Sequence, residues 1–85
     1  MGAARRAQGM KTGRLVVSIL GLSCGGGGAL EVERALLRLT GVVRVYVNPL
    51  TEMAYVEYDP ATFEPEAIER AVESEGLRAG IPVPR

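Results

Sequence analysis

The sequence predicts an α+β sandwich, a four-stranded antiparallel sheet with two helices packed on one face. Three observations lead there. Apolar residues alternate along 42–48 and 52–58, the period of a half-buried strand, and recur at helical spacing along 29–39 and 65–75. The segments succeed one another as β-α-β-β-α-β, the split βαβ order. The two strand–helix–strand halves also resemble each other loosely, in keeping with the pseudo-symmetry of that arrangement.

Taken in order, residues 1–13 have no apolar period and are expected to form a flexible N-terminal tail. Met10-Lys11 would itself serve as a chain start, which leaves residues 1–9 as an extension without structural use. Residues 14–20 (RLVVSIL) are short, apolar and rich in β-branched side chains, as a strand requires. The glycines Gly25 to Gly28 follow, and 29–39 then places Leu30, Val32, Ala35, Leu36 and Leu39 on one helical face, with Glu31, Glu33, Arg34 and Arg38 mostly on the other. Thr40-Gly41 stops that helix. In 42–48, Val43, Val45 and Val47 share one face and Arg44 and Tyr46 the other. Pro49-Leu50-Thr51 turns the chain, and 52–58 sets Ala54, Val56 and Tyr58 against Met53, Tyr55 and Glu57. Asp59-Pro60 breaks the strand. Pro65 suits the first turn of a second helix over 65–75, with Ile68, Ala71 and Val72 inside and Gly76 ending it. Residues 77–83 supply a short last strand before a Pro-rich tail, so the domain is expected to span 14–83 as a ferredoxin-like βαββαβ sandwich.

Composition narrows the function classes. Eighty-five residues make one small domain with a modest core and no deep catalytic cleft. Histidine is absent, and neither an acid–base pair nor a nucleophile–base pair can be read from the chain, so an enzyme is not expected. Ten basic and ten acidic residues cancel, and no like-charged run exceeds Arg5-Arg6, which argues against nucleic acid as a partner. The single cysteine cannot form an internal disulfide and points to the cytoplasm. Met10-Lys11 with the apolar run 15–22 and Cys24 superficially imitates a lipoprotein signal. Gly21-Leu22-Ser23 fits such a signal weakly, and its removal would delete the first strand, so no membrane insertion is expected. Glu64, Glu66, Glu69, Glu73 and Glu75 are read as the solvated face of the second helix, and Tyr46, Tyr55 and Tyr58 as strand packing residues.

The chemistry concentrates at Gly21-Leu22-Ser23-Cys24-Gly25-Gly26-Gly27-Gly28, between the first strand and the first helix. There a helix N-terminus favours an anion, and so favours the thiolate of Cys24 over the thiol. Four glycines shield nothing. Thiolate suits soft metal ions. One thiolate is a poor cage, but two copies facing each other could donate one sulfur each, or a partner cysteine or small thiol could complete the site. Against this stands the reading of Cys24 as a relic without function. Ser23 and Gly25 to Gly28 supply the backbone of the metal loop, and the glycine run could also cradle an anion, although Gly25 to Gly28 match neither the phosphate-loop nor the dinucleotide pattern.

From about Leu15 to Ala79 the chain resembles the heavy-metal-associated (HMA) domain, the small ferredoxin-like module of copper chaperones, mercury-binding proteins and the N-terminal regions of metal-transporting P-type ATPases. The residues that carry the resemblance are Gly21-Leu22-Ser23-Cys24, Val32 and Leu36, Gly41-Val42, Val45-Tyr46-Val47-Asn48, Val56-Glu57-Tyr58-Asp59-Pro60, Ile68 and Glu75-Gly76-Leu77. The family motif is Gly-Met-Thr-Cys-x-x-Cys. Here its second cysteine falls on Gly27 counting forward from Cys24, and on Gly28 counting back from the helix, because the loop is one residue longer. The motif is therefore degenerate. Leu22 stands for the family's methionine, and Leu77 for the aromatic that leans over the loop. The resemblance implies a soft-metal, copper-like binding or delivery protein with Cu(I) held by Cys24. Its partner would be a second copy through the loop or a metal-transporting ATPase domain, and the glutamates of the second helix could be an acidic docking surface. The alternative is an HMA-fold interaction or regulatory module that has lost metal binding.

Overall fold

Strand β1 (Gly13–Leu20) opens the domain, because its β-branched run can bury one face against helices while its other face stays on the sheet surface. Helix α1 (Gly28–Leu37), strands β2 (Val42–Asn48) and β3 (Met53–Tyr58), helix α2 (Glu66–Ser74) and two short strands, β4 (Arg78–Ala79) and β5 (Val83–Pro84), complete the expected order. The computed structural model describes residues 12–22 and 28–85; the part of the expected tail that covers residues 1–11 lies outside them. The sheet runs β2-β3-β1-β4, with β5 also on β1, and every pairing is antiparallel. This is the ferredoxin-like sandwich that the element order predicts. Among the described residues no helix is long and apolar enough to cross a membrane.

The core lies between the helices and one face of the sheet. β1 contributes Leu15, Val17 and Ile19, β2 contributes Val47, and β3 contributes Ala54 and Val56. Facing them are Val32 and Leu36 of α1 and Ile68 and Val72 of α2. Ala71, Val45 and Tyr58 pack against this cluster partly buried. Glu33, on α1, is not a purely solvent-facing residue: its Oε2 accepts a hydrogen bond from the backbone N–H of Val47 at 3.1 Å and covers a free donor on the outer edge of β2.

Four expectations need correction. Val43 is 48% exposed rather than inward, because a bulge between Val42 and Arg44 adds a residue to β2 and shifts the alternation. Val42 takes its place beside the core. Leu30 is 52% exposed, since the buried stripe of α1 is the narrower set Val32, Ala35 and Leu36. The last strand is divided. Arg78 and Ala79 pair with Leu20 and Ile19, whereas Val83 and Pro84 pair with Val16 and Leu15; Pro82, between them, has no N–H to give. Pairing nevertheless continues beyond position 83, as the Arg85 N–H donates to Arg14 O at 2.8 Å. Finally, Phe63 is a core residue that periodicity did not reveal. It sits in the β3–α2 connection with its ring 4.7 Å from that of Tyr58, and so closes the end of the core away from Leu22.

Gly41 shows why the α1–β2 turn has its sequence. Its φ is +86°, and a Cβ there would lie 2.7 Å from Thr62 Oγ1 and 2.8 Å from Phe63 N. Only glycine permits both the backbone conformation and the approach of the β3–α2 connection, which is fastened by the Asp59 N–H donating to Gly41 O at 2.7 Å.

Candidate metal loop

The chain turns out of β1 at Gly21, with φ at +93°, and the next residue, Leu22, drops its side chain into the core. Helix α1 starts at Gly28. Ser23, Cys24, Gly25, Gly26 and Gly27 lie outside the described residues, and both the metal-ligand and the anion-cradle readings fall on them. What the structure establishes is the frame that holds the two ends of this segment.

The floor of that frame is apolar. A Cβ built on Gly28 would touch Leu22 Cδ1 at 3.4 Å and Leu77 Cδ1 at 3.8 Å, both ordinary van der Waals distances. On Gly21 it would meet Leu77 Cδ2 at 3.2 Å. Leu77 therefore lies under both ends of the loop, where the resemblance places an aromatic. It is delivered there by the C-terminus of α2, where the Gly76 N–H donates to Glu73 O at 2.9 Å and Gly76 adopts φ +80°. The three glycines differ in kind. Gly21 and Gly76 carry left-handed backbone, whereas Gly28 has helical backbone and room for a side chain.

A second wall was not anticipated. The sequence shows residues 49–51 only as a turn, but antiparallel pairing of β1 with β3 brings that turn to the end of β1. There the Ile19 N–H donates to Glu52 O at 2.7 Å. Leu50, in that turn, is 92% exposed. No periodic signal in the sequence could show this, because the proximity comes from the sheet order. Among the described residues no group of three or more His, Cys, Asp or Glu could hold a metal ion. Of the other residues weighed from sequence, Glu64, Glu66, Glu69 and Glu73 are exposed as expected. Tyr58 packs on Phe63, and Tyr46 and Tyr55 stack on each other across the outer face of the sheet.

The frame has clear counterparts. The family model of the heavy-metal-associated domain matches residues 16–77. No curated protein sequence matches the chain. Among solved structures, a copper-binding domain from HMA7, a P-type ATPase, is 29% identical with a TM-score of 0.77, over 86% of this chain and 97% of that one. The N-terminal domain of a potential copper-translocating P-type ATPase from Bacillus subtilis, in the Cu(I)-loaded state, is 25% identical with a TM-score of 0.78, over 88% and 92% of the two chains. The CopZ metallochaperone is 27% identical with a TM-score of 0.71, over 78% and 97%. The family model spans well over half of the chain, and the chain belongs to the heavy-metal-associated domain family.

Proposed function

We propose that this protein binds or delivers a soft heavy-metal ion, Cu(I) foremost, through the thiolate of Cys24. The observation that carries the proposal is positional. The first cysteine of the family motif falls on Cys24, within the short segment between buried Leu22 and the start of α1. The similar copper-binding ATPase domains and metallochaperone support the choice of ion.

The chemistry asked of the chain is ligand exchange, not catalysis. Cys24 accepts the ion as its thiolate, the form in which sulfur ligates soft metal ions. With glycine at both candidate positions of the second cysteine, the other sulfur comes from outside the chain. It is supplied by Cys24 of a second copy or by a cysteine of a metal-transporting ATPase domain. A ligand shared in this way is weakly held by either side, which suits a carrier that must give its ion up. The glycines at 27 and 28 also favour a second reading, in which the scaffold serves protein contact and no metal is bound.

An anaerobic titration of the reduced protein with Cu(I), competed against a chromophoric chelator and run beside Cys24→Ala, separates the two. One ion per two chains, with dimerisation, and loss of both in the variant is the expected result. Failure to compete with the chelator at any protein concentration would leave the contact reading alone.

A further inference from the structure

The face of the sheet opposite the helices is uncovered, and its charge and aromatic content are unlike those of the chain as a whole. The five strands contain three arginines and one acid; the two helices contain five acids and two arginines. The overall neutrality therefore hides a molecule with a basic sheet and acidic helices. The sequence could not show it, because the three arginines come from three separate strands and form no run.

On that face the residues form two parallel rows, since side chains of directly paired residues project together. The first row crosses the sheet as Arg85, Arg14, Glu57 and Arg44, through the Arg85–Arg14 backbone bond and the Arg14↔Glu57↔Arg44 pairings. The second, two residues along β1, is Val83, Val16, Tyr55 and Tyr46. At about 3.3 Å per residue and 4.8 Å between strands, the rows lie about 7 Å apart and extend about 14 Å. Between them is an open cleft of about 400 Å³ lined by Arg14, Arg44, Arg85, Tyr46 and Tyr55. The two tyrosine rings stack at 6.2 Å and are 55% and 38% exposed, and the Arg85 guanidinium stands 6.0 Å from the Tyr55 ring. Glu57 stands in the row and offsets part of its charge. It accepts from Thr12 Oγ1 at 2.8 Å and lies 3.8 Å from Arg44.

We infer that this face binds single-stranded nucleic acid, with phosphates along the arginine row and bases stacked on the tyrosine row. A row of cations beside a row of flat apolar and aromatic side chains is the arrangement that sequence-tolerant single-strand binding needs. A four-stranded sheet with exposed aromatics is a known platform for it. An acidic protein surface would be drawn by the same arginines, but the stacked pair of half-exposed rings set beside them is the feature that suits bases. The inference does not depend on Cys24, because the rows lie at the start of β1 and the loop follows its end.

The test is fluorescence anisotropy of a labelled twelve-nucleotide dT oligomer titrated with the full chain. Binding in the range of about 1–100 μM at moderate salt is expected, with a log–log salt slope near −2, since about three phosphates would be neutralised at about 0.7 each. Arg14→Ala with Arg85→Ala should bring the slope to about −0.7. Tyr46→Ala or Tyr55→Ala should each weaken binding by roughly 5- to 100-fold. The Tyr46→Phe, Tyr55→Phe double variant should keep most of it, and Glu57→Gln should tighten it. Cys24→Ala should bind as the unaltered chain does, which separates this surface from the metal loop. Three results would each overturn the inference: absence of binding, displacement by inorganic polyphosphate as readily as by unlabelled oligomer, or affinity unchanged in the Tyr→Ala variants.

Discussion

Replacing Gly28 with cysteine should turn a shared metal site into a private one. The structure permits the change. Gly28 is the first residue of α1, its backbone is not left-handed, and a Cβ there rests against Leu22 and Leu77 at 3.4 and 3.8 Å. Stability should therefore be unchanged or rise by up to about 1 kcal/mol, because glycine at a helical position costs about that much relative to a residue with a Cβ.

The effect on the metal follows from concentration. On the proposed reading, the second thiolate of the unaltered chain comes from another molecule, at about 10 μM in a typical assay. Within one loop its effective concentration is on the order of 1 mM, a gain of roughly 100-fold, or about 2.7 kcal/mol. Chelator competition and analytical ultracentrifugation on the same samples would read it. Gly28→Cys should bind one Cu(I) per chain, about 100-fold more tightly, and remain monomeric when loaded. Gly27→Cys is the control that counts forward from Cys24 instead of back from the helix. If Gly28→Cys keeps one ion per two chains while Gly27→Cys binds one per chain, the helix register is the wrong guide to the motif. If neither variant gains affinity, Cys24 is not a metal ligand.

The remaining predictions concern the frame. Gly41→Ala should cost about 2–4 kcal/mol, since it combines left-handed backbone (φ +86°) with a Cβ 2.7–2.9 Å from Thr62 and Phe63. Gly76→Ala, at φ +80° with nothing within 4 Å, should lose only the backbone preference of about 1–2 kcal/mol. At about 4–8 °C per kcal/mol for a domain this small, thermal unfolding resolves the two, and equal losses would mean that the contact with Thr62 and Phe63 is soft. Glu33→Ala should bare the Val47 N–H at the edge of β2 and cost about 1 kcal/mol, discounted for partial exposure. Exchange of the Val47 amide with solvent should then speed up by roughly 5-fold, and no change would show that water replaces the carboxylate without loss. Ile68→Ala, fully buried between α2 and the sheet, should cost about 2–5 kcal/mol. Against a total of about 4–13 kcal/mol for 85 residues, that is enough to leave a substantial unfolded fraction in denaturant titrations at low urea.

The fold was legible wherever one physical rule acted alone. Alternation placed Val45, Val47, Ala54 and Val56, and helical spacing placed Val32, Leu36, Ile68 and Val72, because each faces the core across a regular element. The misreadings occur where a second rule intervened. Val43 keeps the period-two pattern in sequence, but the bulge that precedes Arg44 spends one residue without a partner and turns Val43 outward. Leu30 keeps the helical pattern but lies off the narrow buried stripe of Val32, Ala35 and Leu36, while its neighbour Ala29 packs against the core. Phe63 belongs to no period, so its burial follows from Tyr58 and from the turn at Gly41 that brings the β3–α2 connection inward. For the candidate site, the sequence singles out Cys24 as the lone cysteine, and its role as a ligand is the proposal made above. The apolar floor from Leu22 and Leu77 was partly legible, through the family pattern. The neighbouring turn with Glu52 and Leu50 was not, because its place depends on which strand β1 pairs with.

The core explains how a metal loop can lose a ligand while its scaffold persists. Among the described residues the buried ones come from positions 15–22 and 32–72, and all but Leu22 and Phe63 lie in a strand of the sheet or in a helix packed on it. At Gly28, the second motif position counted back from the helix, the chain contributes only helical backbone over Leu22 and Leu77 and leaves ordinary van der Waals room for a Cβ. A cysteine or a glycine at the second motif position is thus nearly neutral for folding, so selection on stability neither preserves the thiol nor removes it. What such a change alters is the number of chains needed to enclose one ion. On this view, one cysteine in place of two shifts the domain from holding metal alone to holding it only in company, and leaves the sheet, its edge and its open face free to serve other ends.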